Sequence, residues 1–356
     1  MAKTVTFQDV AKAAGVSAAT VSRVVRGNIP VSPELEARVR GSALKLGLDL
    51  SGQSKARIAG FLLGNRRMLH PFHSRVLLGA EEYFAAHAYN LMFVSLQYDP
   101  KADLQDLHMP PLLQRRGLVC GYIMAARIAP NLLDFLKHRG IPSVVLGNHV
   151  LGEWRDADYD VVWFDDVNGV HEETRYLISL GHHHIWFIGN CRLGWGTRRF
   201  GGYRRAMTEA GIPPRLSEIR SDDYFEVGYL CTRSILNSGE PCSAIIAASD
   251  SIAQGAYKAL ADSGLQIPQD VSVGGFDDIE ASLMQPGLTT VRAFPEQIGA
   301  QLAEMLLNRI ANPALAPQRY NMPTRLIKRE SHRSVSTNAP QEREVEAHAQ
   351  DSKWNP

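Results

Sequence analysis

The chain has 356 residues, 45% of them hydrophobic and 21% charged, and a formal net charge of +1. That length allows two or three domains, and the composition is that of a globular protein rather than a low-complexity or fibrous one. No stretch approaches the run of about 20 apolar residues that crosses a bilayer, so a membrane-spanning role is not expected.

Residues 1–48 read as three short helices. Thr6 is a candidate N-cap with Asp9 three residues on, opening a helix whose apolar face is Phe7, Val10, Ala11 and Ala14; Gly15 stops it. Ser17 caps a second helix from Ala18 to about Val25, with Val21, Val24 and Val25 facing inward. Ser32 and Pro33 start a third, whose Leu35, Val39, Ser42 and Leu46 recur at helical spacing until Gly47. These 48 residues carry a balance of +4, which leaves −3 for the rest of the chain. Such a split predicts a basic head that meets a polyanion and a near-neutral body with a different task.

Residues 49–57 (DLSGQSKAR) are polar, lack an apolar repeat and read as a linker. Beyond Arg57, apolar runs of strand length alternate with helical stretches. Strands are expected at Ile58–Leu63, Asn90–Ser95, Gly121–Ala125, Ser143–Leu146, Val161–Trp163, His184–Ile188, Ala244–Ala247 and Val271–Gly274. Helices such as His73–His87, Asn168–Leu180, Gly201–Ala210, Ser251–Ser263 and Pro295–Ile310 separate most of them. This alternation makes parallel sheets covered on both faces, and two such units side by side fit the length. Residues 332–356 are charged and aromatic-poor, and are expected to be disordered. The four cysteines are scattered without CxxC spacing and are expected to be reduced. The opening MAKTVTFQDV has no apolar core of signal-peptide length, so a cytoplasmic location is expected.

Two helices joined by the turn Ala13-Ala14-Gly15-Val16 form a helix-turn-helix candidate, with small residues where the helices cross. The second helix would lie in the major groove, presenting Ala18, Ala19, Ser22 and Arg23. Arg23 suits a bidentate guanine contact, and Ala18, Ala19 and the Thr20 methyl suit thymine methyls or phosphate. Thr6, Ser17 and Arg26 complete the set of candidate DNA-binding residues.

The segment VTFQDVAKAAGVSAATVSRVVRG from Val5 closely resembles the N-terminal signature of the LacI/GalR family of bacterial repressors, and VSPEL follows from Val31. The resemblance continues through LGHHHIWFI from Leu180, RFGGY from Arg199, AASDSIAQGA from Ala247, IPQDVSVGGFDD from Ile267, LTTVR from Leu288 and LIKRES from Leu326. It implies an all-α head on a two-lobed α/β body like the periplasmic binding proteins (type I). The chain would cross between subdomains near 162, 292 and 322. An N-subdomain of about 58–161 plus 292–322 would be the dimer partner, beside a C-subdomain of about 162–291 plus 323–331. One departure stands out. The family's linker reads P-N-x-x-A-R-x-L and folds into a hinge helix with a minor-groove leucine wedge, whereas Leu48-Asp49-Leu50-Ser51-Gly52 stands here in a shorter linker. A weaker operator bend is expected unless Leu48 or Leu50 takes the wedge role.

Ligands of two-lobed α/β proteins sit at the C-terminal ends of the strands. Asp165, Asp250, Asp277 and Asp278 fall at such ends, and Arg199 is expected to begin a helix. Together with Phe72, Trp195, Tyr224 and Phe276 they can bind vicinal hydroxyls and stack on a sugar's apolar face. The resemblance implies effector contacts for Arg199 and Asp277, with Asp165 and Ser249 near others; Phe72, in His70-Pro71-Phe72, stands where the family has N-P-F. Asp250 is expected to cap the Ser251–Ser263 helix, and Asp278 to be structural. The His182-His183-His184 run points its side chains in different directions at a turn, so no metal is expected there; no cofactor is expected either.

The expected function is a ligand-responsive repressor of carbohydrate or nucleoside metabolism, a homodimer on a near-palindromic operator. An enzyme is the first rival, but the chain holds no P-loop, no G-x-G-x-x-G after a strand and no G-x-S-x-G elbow. A sugar receptor is the second; it would have no use for the head.

Overall fold

The computed structural model describes residues 5–26, 31–48, 57–66, 70–107, 109–110, 113 and 118–335. Residues 49–56 of the linker and 336–356 of the tail lie outside the described residues, and with them the expectations placed there. Residues 332–335 belong to the body rather than to a tail. Ser331 beside them is fully buried, and the Val335 N–H donates to the Leu180 carbonyl at 2.8 Å.

The head is α1 (Phe7–Ala14), α2 (Ala18–Arg26) and α3 (Pro33–Lys45). Thr6 and Asp9 form a reciprocal capping box: the Thr6 N–H donates to Asp9 Oδ2 at 2.8 Å, and the Asp9 N–H donates to Thr6 Oγ1 at 3.4 Å. Gly15 adopts φ 64°, the left-handed turn that lets α2 fold back on α1. Val10, Ala11, Ala14, Val21, Val24, Val25, Val39 and Ala43 form the core of this unit. On α3 the expected Leu46 is 38% exposed, because the helix has ended at Lys45 and Ala43 fills the inward position instead. Leu48 folds back onto the head core, its N–H donating to the Ala43 carbonyl at 2.9 Å. A Leu48 held there cannot also wedge DNA. Leu50 lies outside the described residues.

The body holds two sheets. The first has the order β11-β5-β4-β3-β1-β2, from β1 (Ile58–Gly64), β2 (Asn90–Leu96), β3 (Gly121–Ala126), β4 (Ser143–Leu146), β5 (Asp160–Phe164) and β11 (Arg319–Met322), every pair parallel. The second has the order β12-β10-β9-β8-β6-β7, from β6 (Ile185–Gly189), β7 (Arg215–Glu218), β8 (Ala244–Ala247), β9 (Ser272–Asp277), β10 (Thr289–Arg292) and β12 (Arg325–Ile327). Its pairs are parallel except β10 with β12. The helices covering them are α4 (Pro71–Ala86), α5 (Pro130–His138), α6 (Asp166–Ser179), α7 (Gly194–Glu209), α8 (Tyr224–Ser238), α9 (Asp250–Asp262) and α10 (Pro295–Ala311). Strands buried on both faces carry continuous apolar runs, as β1 (IAGFLLG) does.

The chain passes from sheet to sheet after β5, after β10 and after β11. The first crossing lies beyond the expected 162, since β5 runs on to Phe164. The crossings are tied together: Asn148 pairs its amide with the Phe164 backbone at 2.8 and 3.0 Å, and Thr324 Oγ1 donates to the Asp165 carbonyl at 2.9 Å. Strands β7, β10, β11 and β12 were not anticipated. They are three or four residues long, and β7, β11 and β12 are partly exposed edge strands without a full apolar run.

Glycine lets α8 and α9 approach backbone to backbone. A Cβ on Gly255 of α9 would lie 2.1 Å from the Phe225 carbonyl, and one on Gly228 of α8 would lie 1.9 Å from the Ile252 carbonyl. Gly201 of α7, by contrast, has nothing within 4 Å of its would-be Cβ. Gly255→Ala is therefore expected to destabilise the body by about 1–3 kcal/mol through overpacking. Gly201→Ala should stabilise it by up to about 1 kcal/mol, through helix propensity alone. Urea unfolding midpoints of the two variants should move in opposite directions; movement in the same direction would contradict this packing.

Candidate functional sites

On the head, Ser17, Ala18, Ala19 and Arg23 are exposed, and Thr20 and Ser22 are half-buried. Ser17 Oγ accepts the Thr20 N–H at 3.1 Å and sits 2.9 Å from Thr20 Oγ1, so the α2 N-terminus is capped by residues that also border its outer face. Thr6 is exposed at the start of α1, and the side chain of Arg26 lies outside the described residues.

In the body, the C-terminal ends of strands from both sheets meet at one cavity between the lobes. The first lobe contributes Arg66, just after β1; His70, Phe72 and His73, from the start of α4; and His149, just after β4. The second lobe contributes Trp195 and Arg199 of α7, Tyr224 of α8, Ser249 ahead of α9, and Asp277 closing β9. A neighbouring hollow shares Arg66, His73, His149, Trp195 and Tyr224 and extends to Arg127.

Arg199 is only 2% exposed. It lies on the second turn of α7, which starts at Gly194, rather than at the helix start expected from sequence. Its guanidinium donates to the Ala248 carbonyl at 2.5 Å and to Asp277 Oδ1 at 3.2 Å, and lies 3.7 Å from the Phe276 ring centroid. Its Nε–H is buried without a partner. Asp277 and Asp278 adopt φ of 116° and 57°, a region non-glycine residues enter at a cost of about 1–3 kcal/mol each. Asp278 is pinned there by Arg292 at 2.5 Å and Arg329 at 2.6 Å, which bears out the structural role expected of it. The strained turn is thereby fixed and aims Asp277 at Arg199.

Two expectations need correcting. Asp165 does not line the cavity: it caps α6, accepting the Asn168 N–H at 3.2 Å and its side-chain amide at 2.6 Å. Asp250 is not the cap of α9 but its first residue. Ser249 is the cap, accepting the Ile252 N–H at 3.3 Å. Asp250 instead reaches across the sheet, accepting from Thr290 Oγ1 at 2.6 Å and the Ile279 N–H at 3.0 Å, which is possible because Gly275 leaves room. Burial raises its carboxyl well above the ordinary range, and Asp277 adds repulsion. Of the histidine run, His182 is buried on Ser243, Ser272 and the Arg333 carbonyl, while His183 and His184 are exposed.

Sequence reasoning missed Arg66 and the histidines His73 and His149. Arg66 donates to Tyr224 Oη at 3.1 Å and lies 5.1 Å from that ring's centroid, joining the lobes. His70 also spans them, its Nε2 3.3 Å from Ser251 Oγ. His73 Nε2 sits 3.1 Å from His149 Nδ1, and His73 Nδ1 is buried without a partner. Burial lowers the pKa of all three, helped by nearby positive charge: His70 to about 3, His73 and His149 well below the ordinary value. The cluster is neutral at physiological pH and offers ring nitrogens, not cations, to the cavity. The signal for His73 and His149 lay in tertiary contact, since 76 residues separate them.

A helix-turn-helix head on a two-lobed α/β body with an interlobe cavity defines a DNA-binding regulator with a ligand cleft. The model of bacterial regulatory proteins of the lacI family matches residues 6–47, and that of the periplasmic binding protein-like domain matches residues 174–332. The ribose operon repressor of Escherichia coli (strain K12) is 30% identical over 339 residues, covering 92% of this chain and 99% of that protein. A crystal structure of the lac repressor dimer bound to operator and the anti-inducer ONPF superposes with a TM-score of 0.72 at 25% identity, covering 93% of this chain and 100% of that one. A LacI family regulator from Enterococcus faecium with bound ribose gives a TM-score of 0.66 at 26% identity, over 78% of this chain and 100% of that one. The chain belongs to the LacI family of bacterial regulatory proteins. Its place is with DNA-binding regulators, not with enzymes or transport receptors. Among the described residues no helix is long and apolar enough to cross a membrane.

His70 gives this site a pH signature. Its folded pKa of about 3 lies below the ordinary histidine value of 6.5, so between those limits the unfolded chain binds a proton that the folded chain does not. Its contribution to stability is complete above pH 6.5 and is lost as the pH falls toward 3. His70→Asn, which installs the residue expected from the family, should flatten the fall in stability between pH 6.5 and 4.5. Urea melts of both proteins at those two pH values check this; parallel losses would contradict it.

Proposed function

We propose that this protein is a cytoplasmic transcriptional repressor that binds a near-palindromic operator as a homodimer, and that a sugar or sugar derivative in the interlobe cavity sets its DNA affinity. The observation that carries this reading is one chain holding both the exposed face of α2 and a cavity in which Arg199 and Asp277 are buried together. Arg23 is the base-reading residue, Ala18, Ala19 and the Thr20 methyl make apolar contacts, and Ser17, Ser22, Thr6 and Arg26 steady the head on the backbone. In the cavity, Asp277 accepts from vicinal hydroxyls, Arg199 donates to ring or hydroxyl oxygens, and Phe72, Trp195 and Tyr224 cover the apolar ring face. Ser249 supplies a hydroxyl at the α9 N-terminus. The relatives named for ribose support a monosaccharide-sized ligand.

One head buries too little surface for tight specific binding, and two heads on a symmetric body multiply their affinities. A site selected from random DNA should therefore be a near-palindrome. Arg23→Ala should lose about 1–3 kcal/mol of discrimination between that site and random DNA, while the circular dichroism of the body stays unchanged. Unaltered discrimination in fluorescence anisotropy titrations would overturn the assignment of α2 as the reading helix.

A further inference from the structure

The cavity carries more positive charge than a neutral sugar needs. Arg199 is matched by Asp277. Arg66, which lines both hollows, meets only a tyrosine hydroxyl and ring, and among the described residues no carboxylate lies within 4 Å of it. Asp277 and Asp222 feel its charge from farther off, but each is already paired, with Arg199 and with Arg127. Among the described residues Asp277 is the only carboxylate lining the main cavity, and the three histidines beside it are neutral. Two long helices, α4 and α9, also point their N-termini here through His70, Phe72 and Ser249, adding partial positive charge. One buried donor lacks a partner at the wall of this space, the Arg199 Nε–H, and the ring nitrogen His73 Nδ1 is unpartnered as well.

Resting on the sugar-binding reading above, we infer that the effector is an anionic sugar derivative, a sugar phosphate or a sugar acid, whose charged group is held by Arg66. The polyol end lies against Asp277 and Arg199. The anion reaches toward the start of α4 and the edge of the second hollow, where Arg66 is shared between the two. A guanidinium with free donors offers an oxyanion two parallel hydrogen bonds, the geometry for which arginine is best suited. A neutral sugar would leave the Arg66 guanidinium with no oxyanion in direct contact, so charge selects among sugars at this position.

The experiment is a thermal-shift and calorimetric titration of the full chain at constant ionic strength. The probes are inorganic phosphate, ribose, ribose 5-phosphate, glucose, glucose 6-phosphate and gluconate, against wild type, Arg66→Gln and Arg66→Lys. Phosphate is expected to stabilise wild type saturably, and at least one anionic sugar to bind more tightly than its neutral counterpart. Arg66→Gln should weaken that anion about tenfold to a hundredfold, and Arg66→Lys should retain part of the affinity because the charge remains. The phosphate sugars and gluconate distinguish the two sources of charge. Two results would overturn the inference: a neutral sugar binding wild type and Arg66→Gln equally well and better than its anionic form, or phosphate stabilising both proteins alike. The first of these keeps the sugar-sensor reading while removing the anion. A wild type that takes up phosphate through Arg66 but none of the sugars would sink the sugar reading and keep the anion site. Unfolding midpoints measured without ligand show whether the variants are folded; if Arg66→Gln is not, the Lys variant carries the comparison.

Discussion

Taking a guanidinium out of water costs several kcal/mol, and the body of this protein does so at Arg199. Much of the second lobe is arranged around that cost. Asp277 supplies the countercharge, the Ala248 carbonyl a hydrogen bond, and Phe276 a ring face. Holding Asp277 in place requires a strained turn, which Arg292 and Arg329 pin through Asp278. Compensation is incomplete, because the Arg199 Nε–H keeps no partner. A buried polar group left in that state costs about 1–3 kcal/mol, and a ligand that satisfies it recovers part of the deficit.

The ligand reading follows from where this deficit sits. Arg199 lies at a cavity whose other wall belongs to the first lobe, and three chain crossings join the lobes. Contacts such as Arg66 with Tyr224 and His70 with Ser251 bridge the gap between the lobes. Ligand occupancy then favours one lobe arrangement over another by its differential affinity for the two. On the proposed function, the dimer transmits that preference to the spacing of its two heads.

Much of the architecture was legible in the sequence because it is written in local terms. The Thr6 and Asp9 capping box, Gly15 and the valine spacing of α2 all lie within one or two helical turns, and each forms as expected. Buried parallel strands such as β1 advertise themselves as apolar runs. Short edge strands do not, since β12 needs only three residues and half-burial. In the cavity, Arg199, Asp277, Phe72, Tyr224 and Ser249 come together, whereas Asp165 turns back to cap its own helix. A cap and a ligand carboxylate look alike in sequence, because both stand just before a helix at a strand end. Asp250 shows the same ambiguity from the other side, its reach across the sheet being set by the room Gly275 leaves. Arg66 and the histidine pair carry no local signature, because their partners are more than 70 residues away.

The central claim is that cavity occupancy and DNA affinity are two faces of one equilibrium. Linkage makes that claim quantitative: if a ligand changes the operator dissociation constant by some factor, operator must change the ligand's by the same factor. The direct test is fluorescence anisotropy of operator binding with and without a saturating cavity ligand, paired with calorimetry of that ligand with and without operator, for wild type and Arg199→Met. The account predicts equal factors of about 5 to 150 for wild type and a factor near one for Arg199→Met, with operator affinity in the absence of ligand retained. An operator dissociation constant that a saturating ligand leaves unchanged in wild type would contradict it.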